Sequence, residues 1–425
     1  SGSITTSEEN SKTTLVKDEF ITSSPTTEEV YYYVVLEYPN LEESQNIDMG
    51  GTFTGEVTIE ISDVEPDINI IAAYIEQEDG SYEQVSDIPQ SGYTLNTEKS
   101  TCSNGAIPTG TTPNITINNL SKSGTSCYLY FDEQLSAADI ILVGKDIQIR
   151  TDFSTPYVST TTNTVFQTTD WKGTSYYFAG APTDNWVRFG GFYWRIVRVN
   201  GDGTVRLIYN GTGTATTGEG TVINSSQPFN SNYGRSEYVG LKYTEGEQHG
   251  QNTDSPILDV LQSWYSSSGL SATEYSKYID TNAGFCSDRN IVSENWSSTS
   301  IHDYAVYERL ETNKNPSLAC TSSDIIKETV GLITADEVAF SGGGTFANTS
   351  YYLYNNQVYW TMTPSRFPDS YTYHARVAHM TFNGSLVFGD SVVNPYGVRP
   401  VINLDKNVTI SSGDGTIDNP YVVGA

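Results

Sequence analysis

The sequence predicts a β-rich protein of two modules: an all-β sandwich over residues 30–150, then an α+β domain over residues 170–425. The first module shows β-branched and aromatic runs that alternate at period two and are separated by turn residues. In the second, a β-hairpin is followed by short helical patterns and then by more strands, which is typical of helices packed on a small sheet. A chain of 425 residues is long enough for two or three separate cores.

The first module opens with the β-branched and aromatic run 31–38. Residues 53–61 alternate strictly, with Val57, Ile59 and Ile61 on one face. Asp-Gly and Ser-Gly dipeptides further along the chain indicate turns between such runs. Short strands joined by polar turns predict a β-sandwich.

Two polar stretches bound this module. Residues 1–29 begin Ser-Gly-Ser, and we expect them to be a disordered segment or a remnant of cloning, with a native export signal or anchor removed upstream. Residues 151–169 are rich in Thr, Ser and Asn and show no apolar period. They are predicted to be a linker between the modules.

The second module begins at residue 170 with a clear hairpin pattern. Two apolar runs, 187–199 and 204–209, flank the tight turn 200–203, Asn-Gly-Asp-Gly. Residues 255–265 are predicted to be helical from the Ser-Pro start onwards. A further helix is predicted over residues 334–340, with a threonine as its N-cap.

The four cysteines fall as one near pair in each module, with no CxxC spacing and no histidine at metal-ligand distance in sequence. We predict the disulfides Cys102–Cys127 and Cys286–Cys320, each contributing about 3–4 kcal/mol in the chain-entropy model. No metal or other cofactor is expected, because the Asp and Asn clusters at 200–202 and 414–419 are typical of turns. Disulfides favour an oxidising, extracellular location.

The charge of the chain excludes several partners. It has 22 Lys and Arg against 51 Asp and Glu, a net charge of -29. Such a field repels phosphate backbones and anionic lipid surfaces, so neither nucleic acid nor a membrane surface is an expected partner. No run of about 20 apolar residues occurs, so direct membrane insertion is not predicted.

Four segments of the second module, together with the tail 413–423, show a family likeness: Phe189–Ile196, Gly331–Val338, Tyr359–Ser365 and Gly397–Leu404. They resemble a family of bacterial surface domains that is similar to the formylglycine-generating-enzyme branch of the C-type lectin fold. That fold also includes the variable proteins of diversity-generating retroelements. The resemblance covers residues 170–423 and implies a C-type-lectin-like ligand-binding domain. Residues 30–150 resemble only generic exported β-domains, so we expect them to serve as a stalk or spacer.

Three large side chains in these segments are expected to be structural. Trp194 and Trp360 are predicted to be apolar anchors of the core. Arg399 lies between apolar residues and is predicted to be buried, which requires a carboxylate or carbonyl partner. Asp336 or Glu337 is the candidate carboxylate.

The resemblance also indicates where a ligand would bind. In retroelement-type variable proteins the stretch before the final core strand displays the contact residues, and here that stretch is 365–396. Aromatic, basic and amide side chains are typical of a contact surface. The predicted ligand-binding residues are Arg366, Phe367, Asp369, Tyr371, Tyr373, His374, Arg376, His379, Asn383, Asp390, Asn394 and Tyr396.

These patterns predict a non-catalytic adhesin or receptor-binding protein, extracellular, on a bacterial cell surface or a phage virion. Its expected partner is an unknown protein or glycan on another cell or surface. A pilin-like structural component or a phage tail component is an alternative. The formylglycine-generating relatives oxidise a cysteine with a reactive cysteine pair near the C-terminus, and no cysteine follows Cys320 here. A glycosidase remains an alternative, since carboxylates are plentiful but no spacing singles out a pair.

Overall fold

The computed structural model of the chain describes residues 70–424, apart from residues 78, 91, 113, 121–123, 293–294 and 368–373. Strand residues greatly outnumber helical ones, as the sequence predicts. The chain divides into two units between Asp132 and Glu133. The predicted strands at residues 31–61 lie outside the described residues.

The first unit is β-rich in its described part. Its strands form a five-stranded sheet and a separate hairpin: β2 (Tyr82–Val85), β1 (Ile70–Glu76), β7 (Ser126–Glu133) and β3 (Tyr93–Leu95) follow one another in the sheet, β4 (Thr101–Cys102) also pairs with β7, and β5 (Ile107–Thr111) pairs with β6 (Asn114–Asn118). Leu129 and Phe131 on β7 are fully buried. The disulfide Cys102–Cys127 joins β4 to β7, which confirms the first predicted pairing.

The second unit opens with a helix and with most strands of a nine-stranded sheet. Its early elements are α1 Ala137–Leu142, β8 Asp146–Gln148, β9 Thr160–Thr161, β10 Thr164–Asp170, β11 Gly173–Tyr177, β12 Ala181–Pro182, β13 Trp186–Phe189, β14 Phe192–Val199 and β15 Val205–Gly211.

The middle of the second unit holds the other helices and several short strands. These are β16 Asn224–Pro228, β17 Lys242–Tyr243, β18 Thr253–Asp254, α2 Pro256–Ser267, α3 Thr273–Ser276, β19 Phe285–Cys286, β20 His302–Asp303, α4 Ala305–Tyr307, β21 Ile325–Ile326 and α5 Ala335–Phe340. Helix α4 continues as a π-helical turn over Glu308–Thr312. The disulfide Cys286–Cys320 confirms the second predicted pairing.

The last part of the chain forms a six-stranded sheet and completes the nine-stranded one. The strands are β22 Tyr359–Phe367, β23 Arg376–Met380, β24 Leu386–Val387, β25 Pro395–Val398, β26 Val401–Leu404, β27 Ile410–Ser412 and β28 Tyr421–Val423. The six-stranded sheet has the order β16-β25-β22-β23-β24, and β20 also pairs with β22. The nine-stranded sheet has the order β27-β28-β13-β14-β11-β10-β8, and β15 pairs with both β14 and β26.

The prediction that residues 151–169 form a linker is wrong. Within it, β10 pairs with β8 on one side and with β11 on the other. Val165 and Phe166 are buried, which explains why this Thr-rich stretch holds a regular conformation. The boundary at residue 132 also lies well before the predicted end of the first module at residue 150.

The local signals of the second unit are confirmed. β14 and β15 are antiparallel around the predicted turn, where Gly203 has a φ of +85°, a conformation that favours glycine. Helix α2 begins at Pro256. Thr334 caps α5: its hydroxyl accepts a hydrogen bond from the Glu337 amide, and the Glu337 carboxylate accepts one from the Thr334 amide.

The two predicted tryptophan anchors are in the core. Trp194 and Trp360 have no exposed surface. The Trp194 indole donates a hydrogen bond to the Phe189 carbonyl at 3.0 Å, and the Trp360 indole donates one to the Gln227 carbonyl at 2.8 Å. Because both N–H groups are satisfied, the rings can be buried without an unpaired donor.

Arg399 is buried as predicted, but its proposed carboxylate partners are wrong. Its guanidinium donates to the carbonyls of Tyr209 at 2.8 Å and Leu353 at 2.9 Å. Glu337 instead forms ion pairs with two other buried arginines, and Asp336 pairs with Arg309. Backbone carbonyls are therefore the partners of Arg399, the second of the two options that its burial required.

Candidate functional site

The predicted binding segment 365–396 runs from β22 through β23 and β24 into β25. These four strands belong to one sheet, so the segment is held at both ends by hydrogen-bonded backbone. Three of the predicted contact residues, Asp369, Tyr371 and Tyr373, lie outside the described residues. The other nine separate into an outer group, an inner group and two structural residues.

The outer group centres on Arg366 and Arg376, which are directly opposite each other on β22 and β23. We call them the arginine pair. The Arg366 Nε donates a hydrogen bond to Asp303 Oδ1 at 2.6 Å. Its guanidinium carbon also lies 4.5 Å from the centre of the Tyr307 ring. Arg366 is thus held in place by a carboxylate and an aromatic face, while 36% of its side chain remains exposed.

Of the two arginines, Arg376 has less of its charge offset by neighbouring carboxylates. It is partly exposed, and it makes no ion pair with any carboxylate in the described part of the chain. Like charges directly opposite on neighbouring strands are destabilising unless something offsets them. Asp303 offsets one of the two positive charges, and no ion pair among the described residues offsets the other.

An aromatic contact flanks the arginine pair. The His374 ring lies 4.1 Å from the Tyr233 ring, centre to centre. The Tyr233 carbonyl accepts a hydrogen bond from the Ala375 amide at 2.8 Å, which fixes the loop beside the start of β23. Tyr233 itself is 46% exposed, so it offers a ring face to solvent next to the positive charges.

The inner group consists of His379, Asp390, Asn394 and Tyr396, which we call the Asp390 cluster. The Tyr396 hydroxyl donates to Asp390 Oδ2, and the His379 Nε2 lies 3.3 Å from the same oxygen. Asn394 Nδ2 donates to the Tyr396 hydroxyl at 3.3 Å. Burial and the hydrogen bond to Asp390 raise the pKa of Tyr396 to about 12, so this phenol stays protonated near neutral pH.

His379 is buried beneath this cluster, with 4% of its side chain exposed. Its ring stacks on Tyr396 at 4.6 Å and meets the edge of Trp360 at 5.9 Å. Burial lowers the pKa of His379 below its ordinary value, although Asp390 acts in the opposite direction. His379 is therefore a neutral core residue at neutral pH, and its prediction as a surface contact is wrong.

Acidification is expected to destabilise the second unit through His379. The unfolded chain takes up this proton near pH 6.5, whereas the folded state takes it up only at lower pH. Stability should therefore be lost as the pH falls from 6.5 through the folded pKa, by at most about 1.4 kcal/mol per pH unit for this histidine. Urea unfolding of wild type and of His379→Gln at several pH values between neutral and 5 measures the effect.

The variant is expected to lose less stability on acidification than wild type. His302, whose pKa is also lowered by burial, contributes equally to both proteins and so cancels in the comparison. Equal pH dependence in the two proteins would show that His379 titrates alike in the folded and unfolded chains.

Two further predicted contacts are structural. Phe367 is fully buried, and its ring stacks on His302 at 6.2 Å. The Asn383 side-chain oxygen accepts hydrogen bonds from the Ser385 amide at 3.1 Å and the Ser385 hydroxyl at 2.8 Å, which closes the turn between β23 and β24. Phe367 is too deeply buried to meet a ligand, so its prediction as a contact is wrong, whereas the contact role of the partly buried Asn383 stays a prediction.

Three residues of the outer site were missed from the sequence: Tyr233, Asp303 and Tyr307. They lie far from the predicted segment along the chain. Asp303 and the nearby Tyr307 reach it through the pairing of β20 with β22, and Tyr233 reaches it through the hydrogen bond from the Ala375 amide. An aromatic residue within the polar loop around Tyr233 is the only local signal for any of them.

A small cavity of the second unit is lined by buried ion pairs rather than by free acids or bases. Arg198 pairs with Glu337 at 3.1 Å, while Arg309 pairs with Asp336 at 2.6 Å and with Asp288 at 2.7 Å. Each of these carboxylates is thus occupied by a guanidinium. These residues form a structural network of ion pairs, and the arrangement does not favour a catalytic site in this cavity.

No protein family, curated protein or solved structure matches this chain. Within residues 70–424 as described, no helix is long and apolar enough to cross a membrane. Over the same residues, no group of three or more His, Cys, Asp or Glu side chains is arranged to hold a metal ion.

Proposed function

We propose that the second unit is a non-catalytic ligand-binding domain of the C-type-lectin-like kind, on an exported surface protein, and that its ligand contacts the arginine pair. The observation behind this proposal is that Arg366 and Arg376 lie directly opposite each other at one partly exposed place on a chain of net charge -29, with Asp303 as their one ion-pair partner among the described residues. Two guanidinium groups placed directly opposite each other add no stability by themselves. Contact with a ligand gives them a physical role.

The arrangement of the resembling segments supports the assigned scaffold. The segment 397–404 pairs with β15 through β26 and bridges to Gly331. The Met362 amide donates to the Ile333 carbonyl at 2.9 Å, and the Ala335 amide donates to the Thr363 hydroxyl at 2.8 Å. The segments quoted for the resemblance therefore lie against one another in one core, which is expected if they share an ancestral fold.

The chemistry of the outer site favours a ligand that presents an anionic group beside a flat face. Guanidinium groups bind carboxylates, sulfates and phosphates through paired hydrogen bonds. The exposed Tyr233 ring supplies a face on which a sugar ring or an apolar side chain can stack. An acidic glycan or an acidic protein segment fits both features.

The two disulfides support an extracellular location for this binding domain. In a strongly acidic protein, a local positive patch raises the rate of encounter with anionic partners and also sets specificity. The Asp390 cluster holds the backbone next to the pair, because Arg376 is bridged to Ser391.

The double variant Arg366→Gln, Arg376→Gln is expected to lose binding. A hydrogen bond to a charged group contributes about 1.5–3 kcal/mol, so removal of both guanidiniums should weaken affinity by at least about tenfold. Wild type and variant are screened on arrays of acidic and neutral glycans and on cell surfaces, and each protein's melting temperature is recorded.

The matched control is Lys277→Gln, Lys406→Gln. It removes the same charge from two exposed lysines that belong to neither group. We expect the control to bind like wild type. Full binding by the arginine variant, or equal loss in both double variants, would contradict the proposal.

A further inference from the structure

Lys145 and Asp184 contact each other in the interior of the second unit. Only 4% of the Lys145 side chain and 7% of the Asp184 side chain are exposed. Lys145 directly precedes β8, and Asp184 lies between β12 and β13. The Lys145 Nζ also lies 5.9 Å from the ring centre of Phe178, which is fully buried. The pair is thus shielded from water.

As an ion pair, this contact leaves polar atoms unsatisfied. An ammonium group has three N–H donors. Among the described residues, Asp184 Oδ2 is the one hydrogen-bond acceptor for Lys145 Nζ. Asp184 Oδ2 also accepts the Asn163 amide at 2.8 Å, whereas the other carboxylate oxygen, Oδ1, is buried without a partner. Buried donors and acceptors in native proteins are almost always paired.

An amide in the same place would leave fewer polar atoms without a partner. It has one N–H and one carbonyl oxygen, and that oxygen can keep the hydrogen bond from Asn163. Formation of the amide removes two hydrogens of the ammonium group and the oxygen Oδ1, and these atoms leave together as one water molecule. We propose that Lys145 and Asp184 are joined by an isopeptide bond between Nζ and Cγ.

The reaction balances with no other reagent. A proton first passes from the Lys145 ammonium to Oδ1 of Asp184, which gives an amine and a carboxylic acid. The Nζ lone pair then attacks Cγ, and the Asn163 amide donates to Oδ2 as negative charge develops there. A second proton passes from Nζ to Oδ1, the Cγ–Oδ1 bond breaks, and one water molecule departs. The fixed contact lowers the barrier to this reaction, since effective molarities of well-oriented groups reach about 10⁵–10⁸ M.

Other lysine–carboxylate pairs of the second unit lack these features. Lys172 pairs with Asp202, but their side chains are 20% and 31% exposed. Lys242 pairs with both Asp254 and Glu328 and is 21% exposed. Water and second acceptors can satisfy these ammonium groups, so they are ordinary ion pairs and provide a matched comparison.

The bond would have a mechanical consequence. It would tie the start of β8, an edge strand of the nine-stranded sheet, to the residues before β13 near the middle of that sheet. A covalent bond, and not only hydrogen bonds between strands, would then resist tension applied to the chain before Lys145. This inference does not depend on whether the arginine pair binds a ligand.

The test is the mass of the 425-residue chain under reducing and denaturing conditions. After allowance for the Lys-to-Arg difference, wild type should be lighter than Lys145→Arg by about 18 Da, the mass of one water. Tryptic digestion of wild type should yield a branched peptide containing residues 145 and 184. The control Lys172→Arg should retain both the mass deficit and the branched peptide.

A folded wild-type protein with the full mass of its sequence, and with separate linear peptides for residues 145 and 184, would overturn the proposal. This outcome is decisive even if Lys145→Arg fails to fold, because it is read from wild type alone.

Discussion

Replacement of Glu337 with glutamine is expected to lower the free energy of unfolding by about 3–5 kcal/mol. The Glu337 carboxylate is 2% exposed and lies 3.1 Å from Arg198 and 2.5 Å from Arg206. Burial alone would raise the pKa of Glu337, but the two guanidiniums hold it below its ordinary value. The variant keeps the shape of the side chain and leaves Arg206 buried without a carboxylate partner. Arg198 retains only Asp170.

Urea unfolding of the variant measures this loss, and Glu311→Gln is the matched control. Glu311 is 41% exposed and lies 3.9 Å from Lys314, so its ion pair is expected to contribute less than about 1 kcal/mol. Similar small losses in both variants would contradict the view that the buried charges form a structural network.

Trp360→Ala is expected to cost about 3–5 kcal/mol. The ring has no exposed surface and packs between Phe229 at 5.8 Å and Tyr396 at 4.8 Å. Its removal opens a cavity in the six-stranded sheet's core and leaves the Gln227 carbonyl without its donor. Thermal and urea unfolding should both show the loss.

Phe382→Ala is the control for this substitution, because Phe382 is an aromatic residue of the same sheet region but is 64% exposed. Its loss should change stability by no more than about 0.5 kcal/mol. A Trp360→Ala variant that keeps wild-type stability but fails to bind ligand would show that Trp360 is a contact residue and not part of the core.

Local chemistry made part of this structure predictable. The turn at residues 200–203, the Thr334 cap and the Pro256 helix start each depend on neighbours within a few residues. The disulfides were predictable because each half of the chain holds two cysteines that are close in sequence, and one pairing joins both of these close pairs. The burial of Trp194 and Trp360 followed from apolar runs on both sides.

Features that depend on distant pairing were not predictable. Asp303 reaches Arg366 only because β20 joins β22, and nothing near Asp303 in sequence indicates that strand. The polar composition of residues 151–169 hid a strand whose apolar residues, Val165 and Phe166, are few but buried. His379 carries a polar ring, yet its stacking on Tyr396 makes it part of the core. In each case tertiary packing overrides composition.

The central claim is that ligand binds at the arginine pair, and hydrogen exchange with and without the best ligand from the array tests it most directly. The account predicts slower exchange in residues 301–307 and 374–380, which surround Arg366 and Arg376 in the six-stranded sheet. Protection confined to the first unit, or to strands β27 and β28 at the far edge of the nine-stranded sheet, would contradict it.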